Sequence, residues 1–356
     1  MSKELHHPKR SRRLAAVFVA FFCSLLFLLA CSPARALDTI NMANSGASSD
    51  AVIFIAQKKG YFLEEGLSVK TTPFDSGIAM IAPLGTGELD AAISSASAAL
   101  YNAVARGIDI KIVASSGSAP PHYGHNIPII RKDLIDTGRY KQPQDIKGMS
   151  VAMPSPGSSA TATLNAYLTK IGLGFADIEP SYLSYTDQVI ALANRGVDAG
   201  LTAEPQASQA IKAGSAVRVT SDDVMDPYHE GSVTLMSGKF IESHPELARR
   251  FMRAFLKAAR FYNDALADGL LKGPNGEEVI SILTEFTSIK DPEIYRSISP
   301  QGVDPNGHLN VEGLQRDLDF YKTQGWISGA VTTQQAVDLR FIEAALRELG
   351  PYVAKR

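Results

Sequence analysis

The chain has 356 residues, of which 45% are hydrophobic and 20% charged, a composition typical of a globular protein long enough for two domains. Residues 1–36 hold six of the 35 basic and one of the 37 acidic residues, which leaves a formal charge of −7 in the remainder. That charge, with no run of Lys or Arg, argues against a nucleic-acid partner. Both cysteines, Cys23 and Cys31, precede Leu37, which excludes a disulfide scaffold and a cysteine metal site beyond that point.

Residues 1–36 predict an export signal and therefore a periplasmic protein. Five Lys and Arg residues precede an apolar run at 14–30, which is shorter than a comfortable transmembrane span. Three fates of this segment are open: cleavage at either of two sites, or retention of the segment as a membrane anchor. Ala34-Arg35-Ala36 suits a signal peptidase, whereas Leu28-Leu29-Ala30-Cys31 resembles a lipobox and would leave a lipidated Cys31. Ser11-Arg12-Arg13 hints at twin-arginine export, although the apolar run favours the general secretory route.

Strands and helices alternate from Asn41 onward. A strand ends near residue 43, a helix is predicted over 51–59 behind the capping residues Ser48 to Asp50, and Gly60 ends it. A second strand is predicted over 67–74 and an apolar third strand over 91–93, which stops at Ser94 to Ser97 where another helix begins. This order predicts an α/β fold with a mostly parallel sheet flanked by helices.

The same pattern recurs about a hundred residues later. LGTGELDAAIS at 84–94 aligns without a gap with LANRGVDAGLT at 192–202, and each is a helix end, a glycine turn, an aspartate, a short strand and a hydroxyl residue. Before the second copy come a strand at 151–153, a polar loop at 155–159, a helix at 160–171 and a strand at 179–185. The recurrence predicts two equivalent α/β lobes.

Lobe I is predicted to be discontinuous in the chain, whereas lobe II is one continuous segment. Residues 37–120 and 238–356 form lobe I, and residues 121–237 form lobe II. The chain crosses near 116–130 and returns near 231–238, where GSVTLMSG is an extended crossing strand, and the mostly helical remainder packs on lobe I. Because ligands bind at the carboxyl ends of parallel strands, we expect a ligand cleft between the lobes.

These motifs resemble the periplasmic substrate-binding proteins of ABC importers, in the branch of nitrate, sulfonate, taurine and pyrimidine-precursor binders. The resemblance covers residues from about 37 to 265 and is carried by KKGYFLEEGLSV, GTGELDAAISSASAAL, DIKGMSVAMPSPGSSATATLNAYL and IEPSYLSYTDQVIALANRGVDAGLTAEP. It implies a two-lobed periplasmic binding protein fold of type II, in which lobe closure traps the ligand.

The resemblance also implies which residues hold the ligand. They lie in the loops at four strand ends: Asn44, Ser45, Ser94, Ser95, Ser97, Ser155, Gly157, Ser158, Ser159, Thr202 and Glu204. Hydroxyls and free helix amides suit an oxyanion, although each serine could instead only cap its helix. Glu204 could be a favourable charge at a helix start, or it could face the cleft and favour an amine or a hydrogen-bonding ligand. The roles of His122, Tyr123 and Tyr185 stay open between cleft wall and hinge packing.

The function that the resemblance implies is capture of a small sulfonate, nitrate or carboxylate and its delivery to a membrane permease and, through that, to its ATPase. We expect a monomer with neither a cofactor nor a metal. Enzymes of the same fold use a cysteine-rich motif that this chain lacks, and no nucleophile elbow, phosphate loop or zinc-protease helix is present, so we expect no catalysis. The alternatives are a binder of pyrimidine-type precursors and a ligand sensor that signals to a membrane partner.

Overall fold

Two five-stranded sheets organise the part of the chain that this computed structural model describes, residues 36–74 and 76–354. The predicted signal, with Cys31, lies outside the described residues except for Ala36. The chain divides into the units Met1–Leu37 and Asp38–Arg356, and both sheets belong to the second. The strands are β1 (Asp38–Asn44), β2 (Leu67–Pro73), β3 (Ala91–Ser94), β4 (Ile110–Ser118), β5 (Asn126–Arg131), β6 (Ser150–Met153), β7 (Glu179–Tyr182), β8 (Ala199–Ala203), β9 (Ala216–Arg218) and β10 (Glu230–Ser237).

The two sheets have the same topology. The first sheet has the order β2-β1-β3-β10-β4, and the second has the order β7-β6-β8-β5-β9. In each sheet four strands point one way and one runs against them, which is β10 in the first and β5 in the second. The predicted fold class, with two mostly parallel sheets flanked by helices, is confirmed. Hereafter the first and second lobes are these two sheets with the helices that pack on them.

Helices cover both sheets. They are α1 (Ala51–Lys58), α2 (Tyr61–Glu64), α3 (Gly77–Thr86), α4 (Ala98–Ala105), α5 (Lys132–Asp136), α6 (Ser159–Lys170), α7 (Tyr185–Ala193), α8 (Gln206–Lys212), α9 (Asp222–Met225), α10 (Gly238–Ser243), α11 (Pro245–Asn263), α12 (Gly276–Phe286), α13 (Pro292–Ser297), α14 (Val311–Thr323), α15 (Thr333–Ala336) and α16 (Arg340–Leu349). Short 3-10 turns occupy Ser48–Asp50, Pro143–Ile146 and Phe175–Asp177. No helix within the described ranges is both long enough and apolar enough to cross a membrane.

Local signals placed most of these boundaries. The helix predicted over 51–59 is α1, and Gly60 follows it with a φ of 74°, which suits glycine. The strand predicted over 179–185 is too long, because β7 ends at Tyr182 and the Ser184 hydroxyl accepts a hydrogen bond from the Asp187 amide to cap α7. Ser184, which the sequence places in the strand, therefore caps the start of α7.

The aspartates that open β3 and β8 make matching hydrogen bonds. The Asp90 carboxylate accepts from the Asn41 amide at 2.8 Å, and the Asp90 amide donates to the Asn41 carbonyl at 2.9 Å. In the second lobe the Asp198 carboxylate accepts from the Ser150 amide at 3.2 Å, and the Asp198 amide donates to the Ser150 carbonyl at 3.0 Å. The sequence repeat is thus a repeat of structure. Asp90 joins β1 to the start of β3, and Asp198 joins β6 to the start of β8 in the same way.

The segment predicted as an extended crossing strand is β10. It pairs antiparallel with β3 and β4, so the chain has joined the first sheet by Glu230, before residue 238 where the sequence analysis starts the returning segment. All but one of the β10 residues are buried. A strand buried on both faces has no apolar and polar alternation that would indicate which sheet it joins.

An aromatic cluster away from the predicted ligand loops connects the two lobes. Phe175, from the second lobe, packs edge-on against Phe320 at 5.4 Å and against Trp326 at 5.8 Å between ring centroids. The Trp326 carbonyl accepts a hydrogen bond from the Asn102 side chain of α4, which holds the tryptophan on the first lobe. Because Trp326 is the single tryptophan of the sequence, its fluorescence reports contact between the lobes.

Candidate functional site

The loop after β1 is organised by a buried aspartate. Asn44 is buried, whereas Ser45 is exposed and its hydroxyl donates to Asp50 Oδ2 at 2.8 Å. The same carboxylate oxygen accepts from the amides of Ser45 and Ala47, each at 3.0 Å. From the sequence, Asp50 is predicted only as part of a helix cap. An acidic residue directly after two serines at a helix start is nevertheless a pattern that could have indicated its contacts with the loop.

The loop after β3 combines one capping serine with one unpaired serine. The Ser97 hydroxyl accepts from the Leu100 amide at 3.4 Å and so caps α4, which matches the alternative given for these serines. Ser95 is half-buried. Ser94 is buried, and its hydroxyl oxygen has no hydrogen-bond partner among the residues that the structure describes. A side chain at Gly77, the first residue of α3, would lie 2.3 Å from that oxygen, so the backbone there approaches Ser94 closely.

The loop after β6 has the equivalent arrangement in the second lobe. The Ser158 hydroxyl caps α6 by accepting from the Thr161 amide at 3.4 Å, and it donates to the Ser155 carbonyl at 2.9 Å. The Ser159 hydroxyl donates to the Gly231 carbonyl at 3.2 Å, where the chain enters β10. Two of these hydroxyls therefore already have partners within the protein.

The two serine loops meet across the lobes. The Ala98 amide, at the start of α4, donates to the Gly157 carbonyl at 2.8 Å. Gly157 has a φ of 66°, and a Cβ added to it would lie 2.4 Å from the Ala98 Cβ. The structure thus brings the predicted loops of both lobes into direct contact, and only a glycine fits at the point of closest approach.

The end of β8 contributes a second unpaired hydroxyl and a buried carboxylate. Thr202 is fully buried, and within residues 36–74 and 76–354 its hydroxyl oxygen has no hydrogen-bond partner. Glu204 is buried as well, and its Oε2 accepts from the Ser208 amide at 3.1 Å, which is the helix-start role that we considered for it. Burial raises the pKa of Glu204, and the hydrogen bonds of Ser208 offset only part of that effect.

His122 and Tyr185 both contact residues of the second lobe. His122 is exposed, and its amide donates to the Asp223 carboxylate at 2.7 Å. Tyr185 packs edge-on against His125 at 6.3 Å between ring centroids. Burial lowers the pKa of His125 to about 4, so this imidazole is neutral at neutral pH.

One set of described side chains has the spacing of a metal site. Asp226, His229 and Asp317 are buried, with potential ligand atoms within 4.8 Å of one another. His229 Nε2 lies 3.0 Å from Asp317 Oδ2, and His229 Nδ1 lies 3.0 Å from Thr163 Oγ1. Burial opposes the charged form, but the field and hydrogen bond of Asp317 outweigh it and raise the pKa of His229 to about 9. The arrangement is therefore that of an imidazolium paired with a carboxylate.

Three distant segments meet at His229. The Thr163 hydroxyl donates to the Ser159 carbonyl at 3.1 Å, so it must accept from His229 Nδ1. The ion pair and the Thr163 hydroxyl thereby connect α14 of the first lobe to α6 of the second. From the sequence, His229 is considered only for a zinc-protease motif. Its ion pair could not be predicted, because its partners lie 66 and 88 residues away in the chain.

Two cavities lie elsewhere. One of about 20 Å³ is inside the second lobe, between Ile130, Tyr140 and Leu164. The other, of about 370 Å³, lies on the first lobe beside Tyr61, Lys257 and Tyr352. Neither is lined by a residue predicted to hold the ligand.

Comparisons with known proteins agree with this architecture. The family model described as NMT1/THI5 like matches residues 48–265. The chain is 26% identical over 307 residues to a putative aliphatic sulfonates-binding protein of Bacillus subtilis, covering 83% of this chain and 85% of that one. Its fold is similar to the alkanesulfonate-binding protein SsuA from Xanthomonas axonopodis pv. citri bound to MOPS, with a TM-score of 0.66, 21% identity, and 86% and 100% of the two chains covered. It is also similar to the periplasmic nitrate-binding protein NrtA from Synechocystis PCC 6803, with a TM-score of 0.71, 14% identity and 88% and 89% coverage.

Proposed function

The chain belongs to the NMT1/THI5-like family, and from this we propose that it is the extracytoplasmic solute-binding component of an ABC importer that captures a small oxyanion, preferably a sulfonate. One observation supports an oxyanion most directly. Ser94 and Thr202, at equivalent positions of the two lobes, both have buried hydroxyl oxygens without a partner in the described part of the chain. The names of the relatives as binders of sulfonates and nitrate support the same class of solute.

The unpaired hydroxyls provide a reason for the solute to bind between the lobes. A buried polar group without a hydrogen bond costs about 1–3 kcal/mol, which a solute oxygen would recover by accepting from it. The predicted loops contain no Lys or Arg, so the negative charge would be stabilised by hydroxyls and by the N-terminal ends of α4 and α6.

One observation favours a second class of solute. Glu204 is buried at the end of β8 and, where ionised, would repel an anion. A pyrimidine-type or other hydrogen-bonding ligand could donate to this carboxylate. Under this alternative, pyrimidines and not sulfonates would stabilise the protein.

The proposal includes export and partners. The protein would act in the periplasm as a monomer, deliver its solute to the permease of the importer and carry out no catalysis. We also propose the lobe boundaries near residues 120 and 237. The second boundary moves to before Glu230, because β10 pairs with the first sheet. Mass spectrometry of the exported N-terminus would distinguish cleavage before Leu37 from a lipidated Cys31.

Removing the unpaired hydroxyls is expected to weaken solute binding without destabilising the unliganded protein. Ser94→Ala and Thr202→Val should each reduce the affinity for an alkanesulfonate about tenfold, because each removes one donor to the bound oxyanion. The unliganded melting temperature should stay the same or rise, since neither hydroxyl has a partner to lose. Isothermal titration calorimetry and thermal shifts on the exported protein measure both quantities.

Ser237→Ala is the matched control for Ser94→Ala. Ser237 is also buried with an unpaired hydroxyl in the described part of the chain. It lies at the end of β10, and its amide donates to the carbonyl of Asp90, which precedes β3, whereas Ser94 is the last residue of β3. Its replacement should leave the affinity unchanged. Stabilisation of the wild type by pyrimidines alone, across a panel of sulfonates, carboxylates, nitrate and pyrimidines, would show that the oxyanion proposal is wrong.

A further inference from the structure

The loop after β1 already contains an anion of the protein itself. Asp50 Oδ2 accepts hydrogen bonds from the Ser45 amide, the Ser45 hydroxyl and the Ala47 amide, at 3.0, 2.8 and 3.0 Å. These are donors of the kind that a solute oxyanion would need at a strand end. The loop therefore cannot offer them to a solute without giving up the contacts that hold its shape.

The other oxygen of Asp50 is unsatisfied. Asp50 is 1% exposed, and no described residue forms a hydrogen bond with its buried Oδ1. Burial raises the pKa of Asp50 to about 6, and the hydrogen bonds from Ser45 and from the amides of residues 45–47 partly oppose that rise. All of these groups are uncharged. Among the described residues, the groups with the largest effects on the Asp50 pKa include no cation, so at neutral pH most Asp50 side chains carry a negative charge.

A buried charge of this kind discriminates between solutes by their own charge. Two like charges a few ångströms apart in a partly desolvated site repel each other by several times the thermal energy. β1 and β3 are neighbouring parallel strands with Ala43 opposite Ala92, so the loop that follows Asn44 begins beside Ser94. When one oxyanion binds at the Ser94 hydroxyl, a second negative group that extends over the end of β1 would approach Asp50.

We propose that Asp50 determines the charge specificity of the solute site: it holds the loop Ser45 to Ala47 in place and excludes solutes with a second negative charge, so that the protein takes monoanions and rejects dianions. This inference rests on the proposed function, because it concerns the same site. Asp50 acts on the solute through its field and through the position of the loop.

The experiment compares two solutes of equal length, ethanesulfonate and 1,2-ethanedisulfonate, by calorimetry on the exported protein at pH 8. The wild type should bind the monoanion more tightly. Asp50→Asn keeps an oxygen acceptor for the loop and removes the charge, so the preference for the monoanion should fall by about tenfold or more, mainly through tighter binding of the dianion.

A pH series on the wild type tests the same inference without a variant. Both sulfonates stay ionised between pH 5 and 8, so a change in preference reports groups of the protein. As the pH falls through about 6, Asp50 gains its proton and the preference for the monoanion should decrease. In Asp50→Asn this change should be lost, which separates Asp50 from Glu204, whose pKa burial also raises.

Asp90→Asn is the matched control. Asp90 also accepts a backbone amide of β1, that of Asn41 at 2.8 Å, but at the opposite end of the sheet. It should lower stability and leave the ratio of the two affinities unchanged. The inference is overturned if Asp50→Asn binds ethanesulfonate with an unaltered ratio, or if the wild type prefers the dianion. Failure of the wild type to bind any sulfonate would instead contradict the proposed function.

Discussion

Replacing Gly157 by alanine is expected to weaken solute binding by about 100-fold, because it obstructs contact between the lobes. The new Cβ would lie 2.4 Å from the Ala98 Cβ on the other lobe, and the Gly157 carbonyl would be pushed away from the Ala98 amide that it contacts at 2.8 Å. Overpacking costs about 1–3 kcal/mol, and the lost hydrogen bond adds about 1 kcal/mol to the closed form. Under the proposed capture by lobe closure, the apparent affinity for the solute falls with the population of the closed form.

Calorimetry measures the affinity of Gly157→Ala, and Trp326 fluorescence measures closure. Gly172→Ala is the control, because Gly172 has a φ of 81° in the same lobe but nothing within 4 Å of an added Cβ. The control carries the backbone strain of a left-handed residue, about 1–2 kcal/mol, without the contact across the lobes. Equal affinity losses in the two variants would show that strain rather than the contact with Ala98 is responsible.

His229→Leu is expected to destabilise the protein by about 3–5 kcal/mol, because it leaves the Asp317 carboxylate buried without its counter-ion. His229 is 1% exposed, and its ring joins Asp317 on α14 to Thr163 on α6. Denaturant unfolding of the exported protein measures the change. Adding Asp317→Asn to the variant should recover part of the loss, since it removes the unpaired charge.

The pH dependence of stability provides an independent check on His229. Its pKa is raised in the folded protein to about 9, so its contribution to stability is complete below the unfolded value of about 6.5. That contribution is lost as the pH rises through about 9, and the loss should be absent in His229→Leu. His308 is the control, because its side chain is 66% exposed in the pair with Asp304, and His308→Leu should cost under about 1 kcal/mol. Similar costs for both histidines would contradict the assignment of a buried ion pair.

Much of the candidate site could be placed from the sequence, but the hydrogen bonding of its side chains could not. The loops after β1, β3, β6 and β8 lie at strand ends as predicted, and those after β3 and β6 touch across the lobes. A serine before a helix looks the same in sequence whether its hydroxyl caps the helix or is free. Ser97 and Ser158 are caps, whereas Ser94 is unpaired, and only their surroundings distinguish them.

The alternation of strands and helices, the glycine stops and the equivalence of Asp90 and Asp198 were predictable, because each depends on residues close together in the chain. Tertiary structure alone decided that β10 joins the first sheet, that Asp50 uses the donors of the Ser45 loop, and that His229 meets Thr163 and Asp317. The physical reason is that burial and pairing between distant segments set these contacts. Local patterns determine where an element begins and ends, and packing determines what its side chains bind.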